Sequence, residues 1–387
     1  MPHMSAPDQK ESSGSLPGYR RWLVLAGPVS SYTWDLLARI SRRSGARMEV
    51  FHKPPEGRQI RTSFAHESFQ SRDVVAHDWG DMTPGELVRA MDISKADAIF
   101  LFGTRSKVAM AEALVRRPRK CPLVFVGDTN VAGVLPSNVR GWLRLLFYRA
   151  IAPFVTEAWT LGRSNEQAFR LLGFRRFRTL PFYSVTYDDL GAPRTKALAV
   201  GDGPFKLLAI ARLSPEKNIE TLIRAIGDQT FRNRVALTIV GDGPSRTQIE
   251  DLIHSLQITN VRLLGAVPHS GLSQHLNDAH ALVLPSRYEP WGNVITEALG
   301  MGIPVLATPE VGAATSSAGR YTGIRVADGF DELALQQGLH LVLEDYPLLA
   351  TAAIEQAARV RAEFDVEHVA QRMVDAIDSL SATATSA

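Results

Sequence analysis

The feature that most constrains this chain is a rhythm: short apolar runs recur along its length, each followed by a longer amphipathic stretch. In the first half the runs lie at 21–27 (RWLVLAG), 47–52, 97–103, 122–127, 157–161 and 177–182, with helical periodicity near 31–43, 83–93, 106–116, 138–150 and 163–172. Residues 53–82 are polar and read as irregular. In the second half the runs lie at 205–211, 235–241, 260–265, 280–286, 303–308 and 322–326, with helices near 217–227, 244–256, 270–277, 293–300, 330–344 and 346–362. Strands that are apolar throughout are buried on both faces, and strands alternating with helices build parallel sheets.

A length of 387 residues suits two domains. The rhythm breaks at 183–204, where Gly191, Pro193, Gly201, Gly203 and Pro204 replace any periodicity. The chain is expected to divide into a disordered leader (1–20), an N-terminal domain (21–190), a linker (191–204) and a C-terminal domain (205–365). An amphipathic segment at 366–380 is expected to pack back on the N-terminal domain, with the final SATATSA fraying. The fold class is α/β, as two facing Rossmann-like doubly wound domains. Ligands of such sheets bind outside the carboxyl ends of the strands, so two facing sheets place a site in the cleft between them.

Composition narrows the classes of function. No run of about 18 apolar residues exists, which excludes a transmembrane helix. The single Cys121, at the edge of the apolar run CPLVFV, excludes a disulfide framework and a cysteine metal site and suits a reducing, cytoplasmic setting. The ten histidines show no metal-ligand spacing and no Asp-x-Asp motif occurs, so neither metal nor cofactor is expected. The net charge of +3 conceals a split: residues 1–200 carry 29 Lys and Arg against 18 Asp and Glu, a balance of +11, and residues 201–387 carry a balance of −8.

Three loops, each following an apolar run of the second half, carry the chemistry. In PSRYEPWGNVITEALGMG (285–302) a strand gives way to a helix near Gly292. The first amides of that helix lack intrahelical partners and, with the helix dipole, suit a pyrophosphate. Glu289 precedes the helix, and Glu297 lies one turn after Asn293, which suits hydroxyl binding. The same spacing also suits a capping glutamate and a solvated one. In ARLSPEKN (211–218) Arg212 and Lys217 bracket a turn and present two cations to a diphosphate, or to solvent. In IVGDGP (239–244) Gly241 and Gly243 make a tight turn into a helix.

With ARLSPEKN, IVGDGP, LVLPSRYEPWGNVITEALGMGIPVLAT and the following EVGAA, the second half resembles the family 4 retaining glycosyltransferases of the GT-B fold, the glycosyl transferases group 1. The resemblance is close over about 205–315 and is one of layout only in the N-terminal half, where WTLGRSNEQAFRLLGF and TLPFYSV resemble the family's last units before the linker. It implies a hexosyltransferase-like, metal-independent enzyme that moves a sugar from a nucleotide-diphosphate donor (UDP- or GDP-linked) to an acceptor hydroxyl, in glycan or polysaccharide assembly. It implies that Arg212 and Lys217 neutralise the diphosphate, that Glu289 faces the sugar, and that Glu297 binds the ribose. Gly292, Asn293 and Val294 would contact sugar and phosphate, and the loop 265–268, with Val267, the base. Gly27 stands where the family places a Gly-rich loop, though with one glycine. Where the family often has a histidine, this chain has Gly127, Asp128, Thr129 and Asn130; Asp128 suits a contact to sugar or acceptor, or an Asx turn or cap.

The N-terminal domain is then the acceptor side and the C-terminal domain the nucleotide-sugar side. The basic residues Arg116, Arg117, Arg119, Lys120, Arg170, Arg175, Arg176 and Arg178 and the segment 139–155 suit a solvated face, an anionic or lipid-linked acceptor, or a peripheral contact with the inner face of a membrane; nucleic acid is not expected. The segment 139–155 itself reads as a helix packed on the sheet. A nucleotide-sugar epimerase and a non-catalytic sugar-nucleotide-binding subunit remain alternatives.

Overall fold

The computed structural model describes residues 19–27, 29–52, 73–80, 82–102, 107–129, 131–136 and 138–386. The expected leader up to residue 18, and residues 53–72, lie outside these.

The first sheet is built from β1 (Arg21–Ala26), β2 (Arg47–His52), β3 (Val74–Asp78), β4 (Ala98–Phe102), β5 (Leu123–Val126), β6 (Glu157–Thr160) and β7 (Phe177–Thr179). Its helices are α1 (Ser31–Ser44), α2 (Pro84–Met91), α3 (Lys107–Arg116), α4 (Val131–Val134), α5 (Val139–Ile151) and α6 (Arg163–Leu171). The second sheet is built from β8 (Phe205–Ile210), β9 (Val235–Val240), β10 (Val261–Gly265), β11 (Ala281–Leu284), β12 (Val305–Ala307) and β13 (Ile324–Val326). Its helices are α7 (Ile219–Gly227), α8 (Gln229–Arg232), α9 (Arg246–Ser255), α10 (Leu272–Asp278), α11 (Asn293–Gly300), α12 (Gly312–Ser317), α13 (Glu332–Glu344) and α14 (Tyr346–Phe364), followed by α15 (Val366–Ser386).

Both sheets are parallel, in the orders β3-β2-β1-β4-β5-β6-β7 and β10-β9-β8-β11-β12-β13. Strand order reverses between β1 and β4 in the first and between β8 and β11 in the second, the positions where doubly wound sheets open a crevice. Local signals fix the elements that frame them. Ser30 caps α1 by accepting the Thr33 amide at 3.2 Å, and Gly45 ends the helix in the left-handed region at φ 64°.

Each sheet has a private core on one face. Leu23, Leu25, Phe125 and Phe169 belong to that of the first sheet, Leu207, Ile223, Leu237 and Leu335 to that of the second. The remaining faces share one continuous core, in which Trp22, Trp34 and Trp159 meet Tyr187, Ile295, Phe364 and Met373. The domains are therefore joined by packing as well as by chain.

The chain crosses between domains twice, side by side. The amide of Val185 donates to the Phe364 carbonyl at 2.9 Å and the amide of Val366 returns to the Val185 carbonyl at 3.0 Å. After this second crossing α15 lies along α1, with Glu367 taking Arg39 and Arg43 and Asp378 taking Arg20 at 2.5 Å. The first part of the aperiodic stretch 183–204 is not loose: Val185, Tyr187 and Leu190 are buried, and a Cβ on Gly300 would fall 2.3 Å from the Tyr187 ring.

Several elements depart from the sequence reading. β3 lies inside the stretch read as irregular, α12 and the one-turn helices α4 and α8 were not expected, and α15 continues to Ser386 instead of fraying at SATATSA.

Candidate functional site

The site is built on the switch point of the second sheet. The loop after β8 carries Arg212 and Lys217, and the loop after β11 carries Glu289 and Gly292. Asn218 ties them together. It holds a left-handed conformation (φ 58°), is 4% exposed, and donates from Nδ2 to the carbonyls of Pro285 at 3.0 Å and Phe330 at 2.7 Å. Its Oδ1 accepts from Arg287 Nε at 2.8 Å, and the Arg287 amide donates to the Glu216 carbonyl at 2.8 Å. Neither residue was singled out in the sequence, although Asn218 closes the ARLSPEKN motif.

This clamp brings Lys217 to Glu289. Their side chains form a direct ion pair, each 16% exposed. Arg212 is exposed and forms no ion pair among the described residues. Glu289 is also fixed through its backbone, since its amide donates to the Glu310 carbonyl at 3.1 Å and its carbonyl accepts the Gly312 amide at 3.0 Å. A Cβ on Gly312 would lie 2.0 Å from the Pro290 carbonyl oxygen, so α12 approaches the site only because residue 312 is glycine.

Gly292 opens α11 at φ 92°, and no side chain caps the helix. Here the left-handed backbone needs glycine, and a Cβ would press on Leu284, Glu289 and Val311 at 3.1–3.2 Å. Three buried polar atoms around this turn, Ser286 Oγ, Trp291 Nε1 and Asn293 Oδ1, have no partner among the described residues. An unmet buried polar atom costs roughly 1–3 kcal/mol. Uncapped amides and unmet polar atoms together make this turn a surface suited to a polar ligand.

Gly241, at φ 142°, and Gly243 lie in the turn that leads into α9, and close backbone approach is a second reason for glycine at both. Cβ atoms there would lie 1.8 Å from the Ala211 carbonyl oxygen and 2.3 Å from that of Leu213. The glycines let the loop after β9 lie backbone to backbone on the loop that carries Arg212, with the Leu213 amide donating to the Asp242 carbonyl at 3.0 Å. Gly27 is unlike them, since a Cβ there would meet nothing within 4 Å.

Glu297 is buried, its side chain 2% exposed, and it meets no lysine or arginine among the described residues. Tyr32, at the start of α1 in the other domain, donates its hydroxyl to Oε1 at 3.1 Å, and His269 Nε2 lies 3.3 Å from the same oxygen. His269 Nδ1 lies 3.3 Å from Asp189. Burial would lower the His269 pKa, but Glu297 and Asp189 outweigh it and hold the imidazole above its usual range. Burial first, then Glu297, raises the Tyr32 hydroxyl. Tyr32, His269 and Asp189 were not foreseen; the one signal was that His269 follows Val267 and Pro268 in the expected base loop. Val267 itself is half-buried there, and Val294 is buried in the first turn of α11.

Asp128 follows β5 and accepts the Tyr183 hydroxyl at 2.6 Å. Tyr183 stacks on Trp291 of the second domain, rings 6.3 Å apart and 5° from parallel. Burial and then Asp128 push its hydroxyl pKa well above normal. Asp128, Gly162, Glu289, Trp291 and Thr315 enclose a cavity of about 50 Å³ between the domains. Asp128 also borders a second cavity of about 190 Å³, lined by Phe125, Arg144, Tyr148 and Phe169. Among the described residues no three metal-ligating side chains converge.

Residues 194–360 match the family model described as glycosyl transferases group 1. The match falls on the second domain and covers less than half of the chain. An uncharacterized glycosyltransferase of Methanocaldococcus jannaschii is 36% identical over 114 residues, which is 29% of this chain and 29% of that protein. The chain thus aligns with well under half of that relative. Over the whole fold, the sucrose-phosphate synthase of Thermosynechococcus elongatus superposes with a TM-score of 0.71 at 19% identity, covering 94% of this chain and 100% of that one. An Anabaena protein in complex with UDP and glucose superposes with a TM-score of 0.67 at 18% identity, covering 93% and 100%. The architecture, two parallel-sheet α/β domains, is that of the GT-B glycosyltransferases.

Proposed function

We propose that this chain is a retaining, metal-independent glycosyltransferase that moves a sugar from a nucleotide-diphosphate donor to an acceptor hydroxyl. The observation that carries the reading is the joining of Lys217, Glu289 and the uncapped start of α11 at the switch point of the second sheet. In this reading the donor diphosphate takes Lys217 from Glu289, with Arg212 and the amides of residues 292–294 completing the anion site. Charge developing on the departing diphosphate is met by fixed donors, a contribution of order 10²–10³ in rate for one such donor. Released from Lys217, Glu289 binds sugar hydroxyls. Glu297 takes the ribose in place of the Tyr32 hydroxyl, and Val267 borders the base.

The cavity beside Glu289 is small, about 50 Å³. In this reading donor entry widens the cleft around the paired crossings at Val185 and Val366, and closure afterwards excludes water from the transfer. The acceptor enters over the first domain, where Asp128 borders both cavities and Arg144 supplies a cation for an anionic group. UDP is the first nucleotide to try, because the Anabaena protein of the same fold holds it. A role in polysaccharide assembly rests on the family resemblance.

A thermal-shift series with UDP- and GDP-linked sugars identifies the donor, and NMR of the product's anomeric proton reads the stereochemistry. One donor should raise the melting temperature, and its transferred sugar should keep its anomeric configuration. Wild-type-like transfer by a Lys217→Ala enzyme would sink the assignment.

A further inference from the structure

Helix α5 wears its apolar stripe outward. Val139, Trp142, Leu143 and Leu146 recur at i, i+3, i+4 and i+7, the spacing that normally faces a core, yet they are 57–75% exposed. The expectation of a helix simply packed on the sheet holds for a narrow strip, since only Leu145 and Ile151 are buried. Leu135 and Phe154, just outside the helix at either end, are also exposed.

Cations flank this face. At about 100° per residue, Arg140 and Arg149 fall roughly a quarter-turn to either side of the stripe. Arg149 is steadied by the Leu171 carbonyl at 3.0 Å. Arg117 donates to the carbonyls of Cys121 and Phe154, both at 2.9 Å, and so draws the exposed Arg119 and Lys120 towards Phe154. No aspartate or glutamate occurs between Asp128 and Glu157.

We propose that α5 lies flat on an anionic lipid bilayer, with Trp142, Leu143 and Leu146 at the boundary of headgroup and acyl chain and the arginines among the phosphates. A tryptophan in an apolar stripe between basic shoulders is the chemistry of an interfacial helix. One face of a 13-residue helix is small against the roughly 800 Å² per partner of a stable protein interface. No described helix is long and apolar enough to cross a membrane, which leaves surface contact as the mode. The inner side of α5 lines the second cavity through Arg144 and Tyr148, so a molecule resident in the bilayer would arrive beside Asp128. The proposal does not depend on the donor reading.

The test is co-sedimentation of the full chain with vesicles of phosphatidylcholine alone and of phosphatidylcholine mixed with phosphatidylglycerol. Binding to the mixed vesicles alone, weakening as salt rises, is expected. Trp142 is the exposed one of six tryptophans, so quenching by brominated lipid reads its insertion directly. Trp142→Ser with Leu143→Ser and Leu146→Ser should cut binding about tenfold or more while leaving the melting temperature unchanged, and Arg140→Glu with Lys120→Glu should weaken it further at low salt. Absence of binding to the mixed vesicles overturns the proposal, as does equal binding by the triple serine variant. It also falls if that variant instead abolishes a concentration-dependent dimer seen by light scattering.

Discussion

At the switch point of the second sheet, the loops after β8 and β11 are clamped by Asn218 into one unit that presents Arg212, Lys217, Glu289 and the start of α11. The matching position of the first sheet, after β1, offers Gly27 with open space around it. Net charge runs the other way: the half with the two candidate phosphate-binding cations carries −8 and the other +11. Much of the positive charge in the first domain is spent on architecture. Arg21 holds Glu49 through two bonds at 2.8 and 2.7 Å, Arg178 holds Glu157, and Arg39 holds Glu367 of α15. Local arrangement at a strand's carboxyl end, rather than the sum over a domain, marks an anion site.

This contrast can be broken by substitution. Lys217→Ala should lower transfer by about 10²–10³ in kcat while Arg178→Ala, a cation of the first domain, leaves kcat unchanged; steady-state rates with a saturating donor decide it. Gly241→Ala comes next, because its Cβ would collide with the Ala211 carbonyl. It should cost about 1–3 kcal/mol of stability, read by urea unfolding, and should weaken donor binding by moving Arg212.

Tyr32→Phe sharpens the comparison at the seam between the domains. Removing the hydroxyl that occupies Glu297 should lower the donor KM by about fivefold, the worth of one hydrogen bond near 1 kcal/mol, with kcat little changed. A raised KM would instead make Tyr32 a donor contact.

The smallest effect concerns pH. Glu297 and Asp189 hold the His269 pKa above its usual value. That stabilisation is complete below about pH 6.5 and is lost as pH rises through the higher pKa of the folded state. His269→Gln should flatten thermal stability against pH over that window, and an unchanged profile would remove His269 from the contact.

The alternation of strands and helices was legible because buried parallel strands are apolar throughout. β3 was missed because Val74–Asp78 is short and closes a long polar stretch. α12 was missed because GAATSS has no apolar period; Gly312 is there for a contact with Pro290 that only the fold reveals. In the site, Arg212, Lys217, Glu289 and Gly292 were visible since each lies in a loop directly after an apolar run. Tyr32 was not, because it meets Glu297 across the domains from 265 residues away. Val139, Trp142, Leu143 and Leu146 show how periodicity misleads: the spacing establishes a helix face and says nothing of whether protein covers it.

The most direct measurement is isothermal titration of a nucleotide-diphosphate sugar, UDP-glucose first and GDP-linked sugars after it, into the wild-type chain and into the Arg212→Ala, Lys217→Ala variant. Saturable binding by the wild type, reduced about a hundredfold or more in the variant, is the predicted result. Equal binding by both proteins, or no binding of any such donor by the wild type, would contradict a nucleotide-sugar site at the switch point of the second sheet.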